Sequence, residues 1–286
     1  MIDFTNAKEM LNNYSGSEKK KTLILNNVKY MVKFPDPVRE KDKEISYINN
    51  TYSEYIGSTI FSMSGFKTQE TILGTYKIND KTKIICACKD FTDEDNILIT
   101  FENSLLGADT ENKVDTDIED ISTYLKLLKD LISIKSLEED YFDMFIVDAL
   151  IGNTDRHNGN WGFLYNTKSN TYSPAPIFDN GSCLNPLLSD EDIQKLSETE
   201  IKNLAINVYS CLKDNDKKIN YFSYIKSKKN NVVNASLIRV FNNIDIESII
   251  DFINNIECIS NDRKRFYISL LKIRYDVLKE VYEELK

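Results

Sequence analysis

The sequence predicts an α+β fold in which a small lobe of strands and one helix precedes a larger, mainly helical lobe. Two observations lead to this prediction. The first ninety residues contain short apolar runs separated by turn signals, a pattern typical of strands. Beyond residue 117, apolar residues recur at helical spacing almost to the end of the chain. Strands first and helices later indicate an α+β architecture, and 286 residues suffice for one large domain or two tightly joined lobes.

Turn signals and apolar periodicity predict five elements in the first lobe. Asparagine and aspartate pairs between apolar runs suit two-residue hairpin turns, because these residues tolerate a left-handed backbone. The elements are strands over residues 22–25 and 28–34 joined at Asn26-Asn27, a helix from about 44 to 64, and strands over 69–78 and 82–89 joined at Asn79-Asp80.

The second lobe is predicted to be mainly helical. Residues 92–117 are acidic and without clear periodicity, so a loop-rich connection is expected there. The expected elements that follow are helices around residues 121–132 and 142–150, a short strand over 161–165, a turn-rich stretch to 186, and amphipathic helices from there to Lys286.

Charge and cysteine content limit the functional classes. The net charge of -9 disfavours nucleic acid as a direct partner, since binders of nucleic acid usually carry a basic surplus. Five irregularly spaced cysteines and a single histidine give no zinc-ligand pattern. With no apolar signal stretch and no run of 18 apolar residues, no transmembrane helix or other membrane association is expected. We interpret the protein as cytoplasmic with reduced thiols, and leave open export without a recognisable signal peptide.

The densest polar segment lies at residues 152–160, between a predicted helix and a predicted strand. Its sequence is Gly-Asn-Thr-Asp-Arg-His-Asn-Gly-Asn. A tight turn rich in Asn and Gly is the structural alternative. Polar groups between two buried elements are costly without partners, however, and a plain turn does not need Asp, Arg and His together. We therefore expect this segment to carry chemistry.

The spacing of three residues favours phosphoryl transfer. Asn160 follows Asp155 by five residues, and Asp179 comes nineteen residues later in Phe-Asp-Asn-Gly. This is the arrangement of a kinase catalytic-loop Asp, its Asn and a second metal-binding Asp. Asp155 would orient the attacking hydroxyl, and Asn160 and Asp179 would supply the hard oxygen ligands that Mg²⁺ prefers. A hairpin between residues 161 and 177 could bring both turns to one place.

The two motifs together resemble those of the HipA-like serine/threonine kinases, and among them the short CtkA-type subgroup. The family's Asn-x-Asp-Arg-His-x-x-Asn loop corresponds to residues 153–160, and its Pro-x-(Phe/Tyr)-Asp turn to residues 176–179. The resemblance implies a protein-kinase-like two-lobed fold, ATP and Mg²⁺ as cofactors, Asp155 as catalytic base, and Asn160 and Asp179 as magnesium ligands. His157 is expected to help position phosphate or the loop, and Arg156 to brace the loop through its planar fork.

The resemblance also extends to the first lobe. It implies that residues 1–90 form the lobe that binds nucleotide and that residues 91–286 form the catalytic and helical lobe. The stretch Tyr-Met-Val-Lys-Phe-Pro at residues 30–35 resembles the family's strand that carries the ATP-binding lysine, which would be Lys33. Glu54 on the following helix is the expected partner of Lys33, and Glu44 is its rival. The stretch Cys88, Lys89 and Asp90 resembles the CtkA-type linker, whose backbone would contact adenine. Lys29, on the same strand face as Lys33, is expected to be exposed.

Residues 16–21, Gly-Ser-Glu-Lys-Lys-Lys, resemble the family's phosphate-covering loop. Gly16 and Ser17 would lie over the phosphates, although such segments are often plain solvated turns. Because HipA-type kinases autophosphorylate on a serine of the corresponding loop, the resemblance makes Ser15 or Ser17 the expected site.

Three functional interpretations follow from these residues. The first is an active kinase for serine or threonine of a protein substrate whose identity the sequence does not give. The second is a non-catalytic nucleotide-binding module on a degenerate kinase fold. The third is a kinase for a lipid or small molecule, because phosphoinositide kinases share an Asp-Arg-His-x-x-Asn loop. The toxins of the family suggest an antitoxin-like partner, but they carry an additional N-terminal domain that we do not find in this sequence.

Overall fold

The computed structural model of the chain describes residues 1–11, 20–35, 49–104 and 116–286. Its first part is a six-stranded sheet with strand order β1-β5-β6-β4-β3-β2, in which only the β1–β5 pair is parallel. The strands are β1 (Ile2–Asp3), β2 (Lys8–Met10), β3 (Lys20–Leu25), β4 (Val28–Lys33), β5 (Thr71–Ile78) and β6 (Lys81–Lys89).

The two predicted hairpins of this sheet are confirmed. Asn26 and Asn27 have φ of 51° and 63°, and Asn79 and Asp80 have φ of 46° and 62°. Two successive left-handed residues give the hairpin turn whose twist matches that of the flanking strands. A cluster of buried apolar side chains from β3, β4 and β6, with Phe4, stabilises the sheet.

The helix α1 (Asn50–Met63) follows the first hairpin in the described residues and packs on β5 and β6. The predicted end near Gly65 is confirmed, whereas the predicted start near residue 44 lies outside the described residues. Gly57 allows α1 to approach the residue after Asp179 closely. A Cβ at position 57 would lie 2.8 Å from Asn180 Cβ. Ser53 Oγ also donates to the Cys183 carbonyl at 2.6 Å.

The loop-rich connection predicted for residues 92–117 was wrong in part. The chain forms β7 (Asn96–Thr100) and a short helix α2 (Phe101–Ser104), and β7 pairs with β8 (Gly162–Asn166), which also pairs with β9 (Thr171–Pro174). The partner of β7 lies more than sixty residues downstream, so this strand has no local turn signal. The β8–β9 hairpin is the one that the sequence predicted.

Helices form most of the remaining chain, as predicted. The helix α4 is almost entirely buried, and α10 packs against α4, α5, α6 and α8. The helices are α3 (Ile118–Ile132), α4 (Leu137–Ile151), α5 (Asp190–Lys195), α6 (Glu198–Ile206), α7 (Tyr221–Ser227), α8 (Asn231–Phe241), α9 (Ile246–Asn254) and α10 (Asn261–Leu285).

One hairpin interrupts the stretch for which only helices were predicted. It consists of β10 (Tyr209–Asp214) and β11 (Lys217–Asn220), which turn at Asn215 and Asp216 with φ of 51° and 62°. The same Asn-Asp signal that correctly predicted the turn at residue 79 is therefore present here. None of the helices in the described ranges combines the length and apolar character that crossing a membrane requires.

Candidate active site

The segment at residues 152–160 begins where α4 ends, and a buried arginine supports that end. Arg274 of α10 donates to the carbonyl of Ile151 at 2.9 Å and to that of Ala205 at 2.9 Å. Gly152 has φ of 68°, and a Cβ at this position would lie 2.4 Å from the Arg274 guanidinium. Burial lowers the pKa of Arg274 to about 10. Only glycine fits both the left-handed backbone and the space that the guanidinium leaves.

A buried ion pair holds the next residues of the segment. Arg156 Nε lies 2.9 Å from Asp148 Oδ2, and Arg156 Nη2 lies 3.0 Å from Asp148 Oδ1. Asn153 Nδ2 donates to the same Oδ1 at 3.0 Å. Burial acts to lower the pKa of Arg156, but the charge and hydrogen bonds of Asp148 outweigh it and raise that pKa. The pair is thus bidentate and fully desolvated, the geometry in which Arg is not replaceable by Lys.

The Arg156 guanidinium also connects the loop at residues 152–160 to the predicted metal turn. Arg156 Nη1 donates to the carbonyls of Asn160 at 2.9 Å and Phe178 at 2.6 Å, and Nη2 donates to Asn180 Oδ1 at 2.6 Å. The bracing that the sequence suggested for Arg156 is therefore present, and it reaches across both motifs. One side chain determines the distance between the residues that precede and follow Asp179.

Lys33 connects the first lobe to this turn. Its Nζ lies 2.8 Å from Glu54 Oε2 and 2.6 Å from Asp179 Oδ1. Lys33 and Glu54 are both buried, and burial raises the pKa of Glu54 even beside the lysine. Burial opposes ionisation of Asp179 as well, but Lys33 outweighs it and lowers the pKa of that carboxyl. Of the two glutamates considered from sequence, Glu54 contacts Lys33, and Glu44 lies outside the described residues.

The donor set around Asp179 fits a magnesium ion. Asp179 offers a carboxylate on a left-handed backbone, with φ of 59°. Asn160 uses its Nδ2 to donate to the Asp155 carbonyl at 2.8 Å, and its Oδ1 is the atom that could ligate a cation. A carboxylate and an amide oxygen are hard ligands of the kind that Mg²⁺ selects.

Asp155 is solvent-exposed at the tip of the loop, where a substrate hydroxyl could reach it. Its backbone N–H donates to Asn153 Oδ1 at 3.1 Å, and its carbonyl accepts from His157 N at 2.9 Å. The His157 imidazole accepts a hydrogen bond from Gly159 N at Nδ1. These bonds within the loop fix the backbone that carries Asp155.

The linker expected to contact adenine is already partly hydrogen-bonded within the protein. The N–H of Lys89 donates to the Glu70 carbonyl at 2.8 Å, and that of Asp90 to the Lys29 carbonyl at 2.9 Å. These two amides already have partners, so adenine would have to be contacted through other backbone groups of the linker, and that contact stays a prediction. The carbonyls keep capacity for a second bond. Lys29, with 42% of its side chain exposed, pairs with Asp90 Oδ2 at 2.7 Å.

Of the expected phosphate-covering segment and its serines, Ser15, Gly16 and Ser17 lie outside the described residues, whereas Lys20 and Lys21 form the start of β3. Sequence reasoning missed two residues that the structure brings to the site. Asp148 could have been found, because it interrupts the apolar run Phe-Ile-Val-Asp-Ala-Leu at residues 145–150. Arg274 could not, since α10 contains several basic residues at helical spacing and nothing local distinguishes this one.

Comparison with known proteins gives consistent matches. The model of the HipA-like C-terminal domain matches residues 13–240. The serine/threonine-protein kinase CtkA of Helicobacter pylori is 40% identical over 285 residues, covering 96% of this chain and 85% of that protein.

Solved structures match over almost the whole chain. The crystal structure of the H. pylori proinflammatory kinase CtkA aligns with a TM-score of 0.85 and 37% identity, covering 99% of this chain and 97% of that one. HipA of Shewanella oneidensis, solved with HipB and operator DNA, aligns with a TM-score of 0.53 and 13% identity, covering 95% of this chain and 67% of its own. The second match concerns the fold alone. Together they confirm the predicted α+β, two-lobed kinase-like fold.

Proposed function

Because this chain belongs to the HipA-like serine/threonine protein kinases, we propose that it transfers the γ-phosphoryl group of ATP, with Mg²⁺, to serine or threonine of a protein. One observation carries the proposal. Lys33, which is paired with Glu54, contacts Asp179 directly. Arg156, which braces the loop of Asp155, holds the two residues on either side of Asp179. Phosphoryl transfer requires this convergence, because its catalysis is mainly positioning and electrostatic stabilisation.

Each side chain has a role in this proposal. Asp155 orients the substrate hydroxyl and accepts its proton, and Lys33 moves from Asp179 to the α- and β-phosphates. Glu54 keeps the lysine in place during this exchange. Asp179 and Asn160 would hold the magnesium ion. When bound, that ion would offset the charge of the phosphates.

Each of the two predicted lobes has its own role in this proposal. In the proposal, residues 1–90 bind nucleotide, and residues 91–286 supply the catalytic loop and the protein-binding surface. Adenine is contacted through carbonyls of the linker at Cys88 to Asp90. His157 helps to hold the loop backbone in the conformation that presents Asp155.

Transfer of label from γ-labelled ATP tests this function. Purified protein with Mg²⁺ should label itself or a generic protein substrate on serine or threonine. Asp155→Asn should abolish transfer while nucleotide still binds, because this carboxylate acts on the hydroxyl. Asp80→Asn is the matched control, since Asp80 is 96% exposed in a distant turn. If Asp155→Asn transfers label as fast as Asp80→Asn, Asp155 is not the catalytic residue, and absence of transfer by the unaltered protein would favour the non-catalytic alternative.

We also propose autophosphorylation at Ser15 or Ser17, on the strength of the family resemblance. A phosphate adds a charge of about -1.5 to -2 near the nucleotide's own phosphates. Repulsion would lower ATP affinity, so phosphorylation would act as a brake. Mass spectrometry after incubation with Mg-ATP should find the phosphate in the peptide that contains these serines. Phosphate confined to other peptides would contradict the proposal.

A further inference from the structure

Two adjoining cavities lie beside the segment that leads from β9 into the metal turn. The inner cavity, of about 60 Å³, is enclosed by α4, β8 and residues 174–177. The outer pocket, of about 460 Å³, also borders the chain after α1 and part of α8. Both are lined by Asp140, Pro174, Ala175 and Ile177, which therefore form the neck between them.

The inner cavity suits a short branched alkyl group. Its walls include the apolar side chains of Leu137, Met144 and Phe163. They also include the indole of Trp161, whose buried Nε1 has no hydrogen-bond partner among the described residues. The cavity volume of about 60 Å³ is less than half of the roughly 150 Å³ of an apolar cavity that accommodates benzene, so only the branched end of an alkyl chain would lie inside it. The outer pocket falls within the size range of small-molecule sites, roughly 300–1,000 Å³.

A half-buried carboxylate lies at the neck. Asp140 Oδ2 accepts a hydrogen bond from Ser136 Oγ at 2.8 Å. In the part of the chain that the structure describes, no Lys or Arg forms an ion pair with Asp140. Arg239 also lines the outer pocket and its charge acts to lower the pKa of Asp140, but its Nη2 is paired with Asp143 at 2.7 Å. Burial raises the pKa of the Asp140 carboxyl. A partly desolvated carboxylate next to an apolar cavity is complementary to a cation that carries an aliphatic group.

We propose that these cavities form an effector site for a small aliphatic amine, with the branched alkyl group in the inner cavity and the ammonium group on Asp140. The neck borders the segment between β9 and Asp179, which forms an isolated parallel bridge at Ile177. Ile177 N donates to the Lys67 carbonyl and Ile177 O accepts from Gln69 N, both at 2.8 Å. Lys67 and Ile177 also line the outer pocket. A bound amine would therefore contact the two residues whose backbone hydrogen bond fixes the segment before Asp179.

Trp161 makes binding directly measurable, because it is the only tryptophan of the chain and lines the inner cavity. Isoamylamine is the probe, and isoamyl alcohol and methylamine lack its charge and its alkyl group respectively. Selectively excited tryptophan fluorescence should change saturably with isoamylamine. Isoamyl alcohol should bind at least about tenfold more weakly, the factor that a charge-assisted hydrogen bond contributes. Methylamine should also bind at least about tenfold more weakly, because it buries no branched alkyl group. Saturation-transfer NMR of the same three compounds provides a second readout.

Two matched variants test the role of Asp140. Asp140→Asn should weaken isoamylamine binding about tenfold or more, and Glu139→Gln, which removes the adjacent exposed charge, should leave it unchanged. Ala175→Leu should fill the neck and exclude the amine. Equal binding of isoamyl alcohol, equal effects of Asp140→Asn and Glu139→Gln, or absence of binding by both methods would overturn the site.

The effector role rests on the proposed kinase function, whereas the binding site does not. Saturating isoamylamine should change the affinity for Mg-ATP in the unaltered protein, and Asp140→Asn should need about tenfold more amine or higher for the same change. By linkage, Mg-ATP should change the affinity for the amine by the same factor. Amine binding without any change in Mg-ATP affinity would overturn the effector role. Failure of phosphoryl transfer with intact amine binding would contradict only the kinase function.

Discussion

Removal of the Arg156 guanidinium should affect stability and activity through two different sets of contacts. Arg156→Met deletes the bidentate pair with Asp148 and the bonds to the carbonyls of Asn160 and Phe178. Asp148 is 1% exposed, so the variant leaves a buried carboxylate without its cation. Breaking a buried pair in this way costs roughly 3–5 kcal/mol, a large fraction of the roughly 5–15 kcal/mol of a typical folded protein.

A double variant separates the two effects. Asp148→Asn keeps an oxygen for Asn153 but removes the unpaired charge. The free energy of unfolding of the double variant Arg156→Met with Asp148→Asn should therefore exceed that of Arg156→Met alone by about 1 kcal/mol or more. Activity should not return, because the fork that positions the turn of Asp179 is still missing. A misplacement of about 1 Å in such a site costs about a hundredfold in rate.

Urea unfolding followed by circular dichroism gives the stabilities, and transfer of label from ATP gives the rates. Arg239→Met is the matched control. It breaks a pair with Asp143 in which the arginine is 41% exposed, and it should cost about 1 kcal/mol or less. Strict additivity of the Arg156 and Asp148 losses would refute the reasoning about the buried charge. Near-normal transfer by the double variant would refute the positioning role of Arg156.

Three further outcomes follow from the site. Asp179→Ala should weaken Mg-ATP binding measured by calorimetry with Mg²⁺, and an unchanged Mg²⁺ dependence would contradict its ligand role. Lys33→Ala should lower ATP affinity sharply while Lys29→Ala leaves it unchanged, and equal effects in the same titration would be incompatible with the contacts of Lys33. Gly152→Ala should destabilise the protein by about 1–2 kcal/mol for the left-handed backbone alone. The clash with the Arg274 guanidinium should add to this loss of stability. If the guanidinium could move aside without cost, urea unfolding would show only the loss from the backbone.

Much of the site could be predicted because its chemistry requires particular residue types at fixed spacing. Asp155, Asn160 and Asp179 follow the order that phosphoryl transfer needs, and that order is legible without coordinates. The choice between Lys33 and Lys29 was harder, since both lie on the same face of one strand. The structure distinguishes them by their partners: Lys33 reaches Glu54 and Asp179, while Lys29 reaches the linker at Asp90.

By itself the sequence determined the local features of this protein: the Asn-Asn and Asn-Asp turns, the order of strands before helices, and the two polar motifs. These depend on backbone preferences and residue types that act within a few positions along the chain. Only the tertiary structure decided the pairing of β7 with β8, the buried bond from Arg274 to the end of α4, and the reach of Arg156 to Phe178. Such contacts join distant segments, and their strength comes from burial, which no local pattern encodes because it exists only once the chain has packed.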